Sequence, residues 1–193
     1  RLTCVWSALA LVKWIKKRAR LLAQIGFEPK EIVSADIDES ERKYERPAAY
    51  VKRMAKEKAL KVAAERPGEI VLGADTIVAV GTRLMHKATN DEEQLKVMKL
   101  LSGRAHHVLS AVCVVDKTGK AVVRLVSTRI IMKKMSDEEI VAYVTGHEWT
   151  GCSGYKIEGS MEAYVSRIIG SYSGIVGLPL CETKNLLNGV GIK

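Results

Sequence analysis

The run Val71-Leu72-Gly73-Ala74-Asp75-Thr76-Ile77-Val78-Ala79-Val80 constrains this chain more than any other stretch. Two short apolar segments flank a single acid, with Pro67-Gly68 before them and Gly81 after. Such a run predicts a buried strand. A carboxylate inside it is costly unless it is ion-paired or metal-bound. Asp75 is therefore the first candidate for chemistry. The alternative is a strand-end acid that caps a turn.

The remaining periodicities place this strand in a mixed α/β sheet with flanking helices. Residues 16–26 predict a helix, with Leu21, Leu22 and Ile25 on one face and Gly26 as its stop. Residues 27–35 read as a strand and Asp36-Ile37-Asp38-Glu39 as an acidic loop. Residues 47–66 form the clearest helix. Pro47 suits its first turn, and Val51, Met54, Ala55, Ala59 and Val62 recur at helical spacing. Thr89-Asn90-Asp91-Glu92-Glu93 opens a further helix ended by Ser102-Gly103. Two β-rich runs, 107–115 and 121–133, are joined by the turn Asp116-Lys117-Thr118-Gly119-Lys120. Ser136-Asp137-Glu138-Glu139 is a capping box on a short helix through Tyr143. Residues 149–159 are irregular, 164–169 read as a strand or short helix, 171–179 as a loop and 181–187 as a final helix. Helices and strands alternate without a uniform βαβ rhythm, which favours a mixed sheet over a purely parallel one. No repeat or linker divides the 193 residues, so one domain, 1–193, is expected.

The net charge of +9 favours an anionic partner. Nucleic acid is set aside as that partner, because the chain has one phenylalanine and no recognisable nucleic-acid-binding motif. No stretch reaches the ~20 apolar residues of a membrane span. Residues 2–12 are apolar, but their basic residues follow rather than precede them, the reverse of a signal peptide. Cys4, Cys113, Cys152 and Cys181 make neither a CxxC pair nor a zinc spacing. A reduced, cytoplasmic setting is expected.

The acidic candidates are Asp36, Asp38, Glu39 and Asp75. The basic ones are Lys58, Lys87 and the 16–20 cluster. Hard carboxylates combined with substrate phosphates suit Mg²⁺, and lysines serve as point charges for phosphate oxygens. Each lysine taken alone also reads as part of a solvated helix face, and Asp36–Glu39 as an acidic turn. The Walker loop and GxGxxG are absent, as are HExxH and a nucleophile elbow. His106-His107 read as structural.

At these residues the chain resembles the Maf family, nucleoside triphosphate pyrophosphatases formerly described as septum-formation proteins. The resemblance runs from about Leu21 to the C-terminus. It rests on Leu21-Leu22-Ala23-Gln24-Ile25-Gly26, Asp36-Ile37-Asp38-Glu39, Glu57-Lys58-Ala59, Gly73-Ala74-Asp75-Thr76, Leu101-Ser102-Gly103, Gly154-Tyr155-Lys156-Ile157-Glu158-Gly159, Gly170-Ser171-Tyr172-Ser173 and Val176-Gly177-Leu178-Pro179-Leu180. It implies a mixed sheet with two lobes around a cleft, related to the ITPase architecture. It implies hydrolysis of canonical, modified or non-canonical NTPs to NMP and pyrophosphate, a house-cleaning role, with Mg²⁺ or Mn²⁺ as cofactor. Asp75 is then the general base or metal-linked water activator, and Glu39 with Asp75 holds the metal. Lys58 and Lys87 face the triphosphate, and family habit suggests a homodimer.

The chain departs from the family pattern at its start. The family's Ser-x-Ser-Pro-Arg-Arg phosphate loop falls on Lys13-Trp14-Ile15-Lys16-Lys17-Arg18, so Lys17 and Arg18 keep the charge and the hydroxyls are gone. Residues 1–20 are thus the divergent part. Gly-Lys-Pro reads His86-Lys87-Ala88, a frequent lysine is Cys152, and a frequent Gln is Glu158. Thr76 resembles the dTTP/UTP branch. Cys152, Gly154 and Glu158 resemble the 7-methyl-GTP branch, which leaves the base open. The alternative function is a degenerate homologue that binds a nucleotide or a partner without turnover.

Overall fold

The computed structural model describes residues 9–12 and 15–192, with side chains from Lys17 onward. Among these residues one mixed sheet of seven strands forms the spine. β1 (Leu9–Val12) lies between β2 (Glu31–Val33) and β3 (Ile70–Val80), parallel to both. β3 then runs antiparallel to β5 (Ala105–Val115). β5 pairs with β6 (Ala121–Met132), and β6 with β7 (Val165–Ile169), both antiparallel. The short β4 (Arg83–Met85) folds back on the end of β3. The helices are α1 (Ile15–Gln24), α2 (Pro47–Glu65), α3 (Asp91–Leu101), α4 (Asp137–Thr145), α5 (Tyr172–Val176) and α6 (Leu180–Gly189).

Several expectations are corrected in extent. Residues 27–35 supply a strand only at Glu31–Val33. Gly26, at φ +82°, ends α1 in a Schellman turn. The N–H of Phe27 donates to the Leu22 carbonyl at 3.0 Å, and that of Gly26 to the Ala23 carbonyl at 3.0 Å. Phe27 is thereby spent on covering the helix end and is buried there. The expected loop at 171–179 contains α5, because Ser171 caps it by accepting from the Gly174 N–H. The Ser136 capping box forms as read, but α4 continues past Tyr143 to Thr145. Cys113, Cys152 and Cys181 are free thiols; Cys4 lies outside the described residues. No helix among the described residues is long and apolar enough to cross a membrane.

Strand alternation sorts the core. Val71, Ile77 and Ala79 of β3, with Leu109, Ala111 and Cys113 of β5, face α2. Ile70, Leu72 and Ala74, with Val112 and Val114, face the other way toward Leu22 of α1 and Leu187 of α6. A separate cluster under α3 and α4 takes Val78, Met98, Ile140, Trp149 and Tyr155. The apolar mass is therefore split into three clusters, two on the faces of the sheet and one under α3 and α4.

The approach of α2 to the sheet is set at Gly73. A Cβ there would lie 2.6 Å from the Ala55 carbonyl and 2.8 Å from the Ala59 Cβ. Only glycine lets a backbone come so near, and small alanines complete the seat. Gly73→Ala is expected to destabilise the fold by about 1–3 kcal/mol, the usual cost of overpacking. Urea unfolding checks this: an unchanged midpoint would mean that α2 can retreat freely.

Candidate functional site

The edge of β3 away from β5 is shared by two short partners. β1 pairs with it at Ile70–Leu72 and β4 at Val78–Val80. Between them, residues 73–77 pair on the β5 side alone among the described residues. Side chains from both faces of β3 can therefore reach one opening. A cleft of about 430 Å³ occupies it, lined by Asp75 and Thr76 from opposite faces of the same strand. Of the residues singled out in the sequence, Lys17, Arg18, Glu39, Lys58, Asp75, Thr76, Lys87 and Glu158 line this cleft, whereas the acidic candidates Asp36 and Asp38 do not.

Its centre is Lys58. The residue lies on the buried stripe of α2, with Ala55, Ala59 and Val62, and is 4% exposed. This overturns the solvated-face alternative. The seat at Gly73 directs its ammonium to Asp75, with Nζ 2.7 Å from Oδ1 and 3.1 Å from Oε1 of Glu39. Two carboxylates thus converge on one positive charge. Asp75 lies within β3, not at a turn, and its burial is compensated by this pairing.

The acidic loop is held over α2 by groups not singled out in the sequence. The Tyr50 hydroxyl donates to the Glu39 carbonyl at 2.8 Å. Burial, then the charges of Asp75 and Glu39, push that phenol up to about 12, so it remains a donor. Arg53 grips Glu45 with Nε and Nη2 at 2.7 and 2.6 Å and donates to the Ser40 carbonyl. Tyr50 was legible in principle, since it shares the buried α2 face with Met54 and Lys58.

On the opposite wall, Arg18 is buried at 6% exposure, and its Nε donates to the Gly177 carbonyl at 2.8 Å. Burial pulls its pKa down and the field of Asp75 pushes it back up; a guanidinium remains charged regardless. Lys17 pairs with Glu158 across the cleft. Lys87 enters from the segment after β4, which bridges to Ser153. The Cys152 thiol is pushed up by burial, against the pull of Lys17, Lys156 and Lys87 around it. The lining carries five Lys or Arg side chains and three carboxylates, an excess of two positive charges. Lys13 and Trp14 of the divergent loop lie outside the described residues.

Could the site hold a metal? Among the described residues, no group of three or more His, Cys, Asp or Glu assembles. Glu39 and Asp75 nevertheless converge on the Lys58 ammonium, so both already face one cationic position. Two hard oxygen donors without nitrogen or sulfur ligands fit Mg²⁺ or Mn²⁺, which leave most of their coordination to water and phosphate.

This combination defines an α/β protein with a cationic cleft at a sheet edge and a carboxylate pair within it. Residues 16–190 match the family described as Maf-like protein, and the chain belongs to it. A dTTP/UTP pyrophosphatase from Sphingopyxis alaskensis is 47% identical over 186 residues, covering 96% of this chain and 97% of that protein. One from Caulobacter vibrioides is 44% identical over 187 residues, covering 96% and 97%. A nucleoside triphosphate pyrophosphatase from Anaplasma phagocytophilum is 43% identical over 184 residues, covering 95% of each.

His106 and Tyr155 hold the far wall. His106 Nε2 lies 2.8 Å from the Tyr155 hydroxyl, and Tyr155 lines the cleft. Burial, then His107, lowers the imidazole to about 4. The unfolded chain takes up this proton near pH 6.5. Stability from the neutral ring is therefore full above about pH 6.5 and is lost as pH falls toward 4. Urea midpoints at pH 7 and pH 4.5 should differ in that direction, with His106→Gln flattening the dependence.

Proposed function

We propose that this protein is a nucleoside triphosphate pyrophosphatase, hydrolysing NTPs to NMP and pyrophosphate. The observation that carries this reading is the convergence of Asp75 and Glu39 on Lys58 inside a cleft with excess positive charge. Family membership and the printed names of the relatives support it. Those names also make dTTP and UTP the first substrates to test.

In this reading Lys17, Arg18 and Lys87 receive the phosphates. Charge on the departing pyrophosphate is thereby stabilised where it develops. Binding releases Lys17 from Glu158. Lys58 fixes the Asp75 carboxylate through Oδ1 and leaves Oδ2 to accept the proton of the attacking water. That water's oxygen bonds to the α-phosphorus as the bond from this phosphorus to the α–β bridging oxygen breaks, so NMP keeps the new oxygen and pyrophosphate leaves with the bridging one. A divalent cation held by Glu39 and Asp75 would neutralise phosphate charge and lower the pKa of a bound water. Tyr50 and Arg53 keep Glu39 in reach of that position.

Asp75→Asn is expected to lower turnover by about 10²–10⁴-fold, the usual contribution of a general base. The fold should persist, because Asn retains the shape of Asp. The assay measures NMP and pyrophosphate from a nucleotide panel with Mg²⁺ or Mn²⁺. Wild-type rates from a folded Asp75→Asn variant would remove the role given to Asp75. Chelation with EDTA is expected to abolish turnover, and readdition of Mn²⁺ to restore it. Nucleotide binding without any turnover would instead identify a degenerate homologue.

A further inference from the structure

Every residue of 151–158 except Gly154 lines the cleft. The segment holds no helix or strand of its own; Ser153 makes a single bridge to Lys87. Its shape must therefore come from groups behind it. Three consecutive residues are each tied to a buried side chain from a different element. Gln94 of α3 donates through Nε2 to the Gly154 carbonyl at 2.6 Å. His106 of β5 meets the Tyr155 hydroxyl at 2.8 Å. Tyr143 of α4 accepts, through its hydroxyl, from the Lys156 N–H at 3.3 Å.

Gln94 is the telling member of the three. It is 0% exposed and shares the buried stripe of α3 with Met98 and Leu101. A carbonyl can only accept, so the amide must turn its nitrogen to Gly154. Its Oε1 is left buried with no hydrogen-bond partner among the described residues. An unpaired buried acceptor destabilises a fold, and leucine or methionine would fill the same stripe without that cost. What the amide supplies and an aliphatic side chain cannot is the donor to Gly154. It acts where the wall is pressed on the core: a Cβ on Gly154 would lie 3.4 Å from Val78 and 3.5 Å from Leu101.

We propose that Gln94 is a positioning residue, which holds 151–158 in the shape that receives the substrate, with Tyr143 as a second tie. This rests on the nucleotide reading above. The wall brings Lys156 and Glu158 to the cleft and is bridged to Lys87 through Ser153. Glu158 in turn pairs with Lys17. Asp75, Glu39 and Lys58 stand on β3, the acidic loop and α2 instead. The ties therefore act on binding and leave the attack on phosphorus to other elements. Releasing one lowers the fraction of molecules whose wall is ready, and the apparent Kd rises by the inverse of that fraction. At saturation the bound nucleotide restores the wall, so kcat holds.

The test measures kcat and KM of the full chain for UTP, and Kd for the uncleavable α,β-methylene-UTP by calorimetry. Gln94→Leu should raise KM and Kd by about 5- to 100-fold, the range of one unpaired buried carbonyl, with kcat within about threefold of wild type. Tyr143→Phe keeps the ring and removes only the hydroxyl. It should move KM and Kd the same way by a smaller factor, and it decides the matter if Gln94→Leu does not fold. A merely structural role would lower the urea midpoint and the active fraction while KM and Kd stay at wild-type values. Wild-type KM and Kd in folded variants overturn the proposal, as does a fall in kcat at constant KM. If the wild type binds the analogue but turns over no nucleotide of the panel, the pyrophosphatase reading fails instead. The Kd ratios then decide the role of Gln94. A wild type that does not bind the analogue either overturns both.

Discussion

The close seat of α2 on β3 at Gly73 is the constraint on which the site depends. With no side chain at that position, the helix backbone drops onto the strand and carries Lys58 below the surface. A buried ammonium is tolerable only when paired, and Asp75 lies two residues along the strand on the same face. Each partner removes the other's burial cost. Together they attract Glu39 from a loop that Tyr50 and Arg53 hold in place. Packing and electrostatics here are one arrangement: a helix farther from the sheet would leave both charges to the solvent.

The sheet supplies the second condition. An acid and a hydroxyl adjacent in a strand point to opposite faces and normally serve different environments. Here the described pairing of β1 with β3 ends at Leu72 and that of β4 begins at Val78, so both side chains border one cleft. The cations arrive from separate elements: Lys17 and Arg18 on α1, Lys58 on α2, Lys87 after β4. Their mutual repulsion is relieved by Glu39, Asp75 and Glu158, and the remaining excess suits a polyanion.

Much of this was legible in the sequence, because the strongest signals are short-range. The β3 run, the α2 stripe, the Ser136 capping box and the Asp116–Lys120 turn each follow from local spacing, and all form. Asp75 stood out because a lone acid inside an apolar run demands a partner. What local pattern could not supply was the identity of that partner. Lys58 is 17 residues away and looks like any helix lysine until Gly73 brings α2 down. Residues 27–35 misled because Phe27 reads as a β residue, yet it completes the turn after α1. Gln94 was invisible for a similar reason. One glutamine in a helix becomes informative only when the fold brings the Gly154 carbonyl, 60 residues away, to its amide.

The side-by-side order of Asp75 and Thr76 has a consequence for how such a protein can change. Sheet alternation has a period of two, so shifting β3 by one residue would exchange their faces. Shifted one way, the threonine would take the place that meets the Lys58 ammonium; shifted the other way, the carboxylate would take the place that meets the Ser110 hydroxyl on β5. Substitution can retune either wall of the cleft independently. A single inserted or deleted codon between Leu72 and Asp75 turns both side chains away from their faces at once. This stretch can vary in its letters but not in its length.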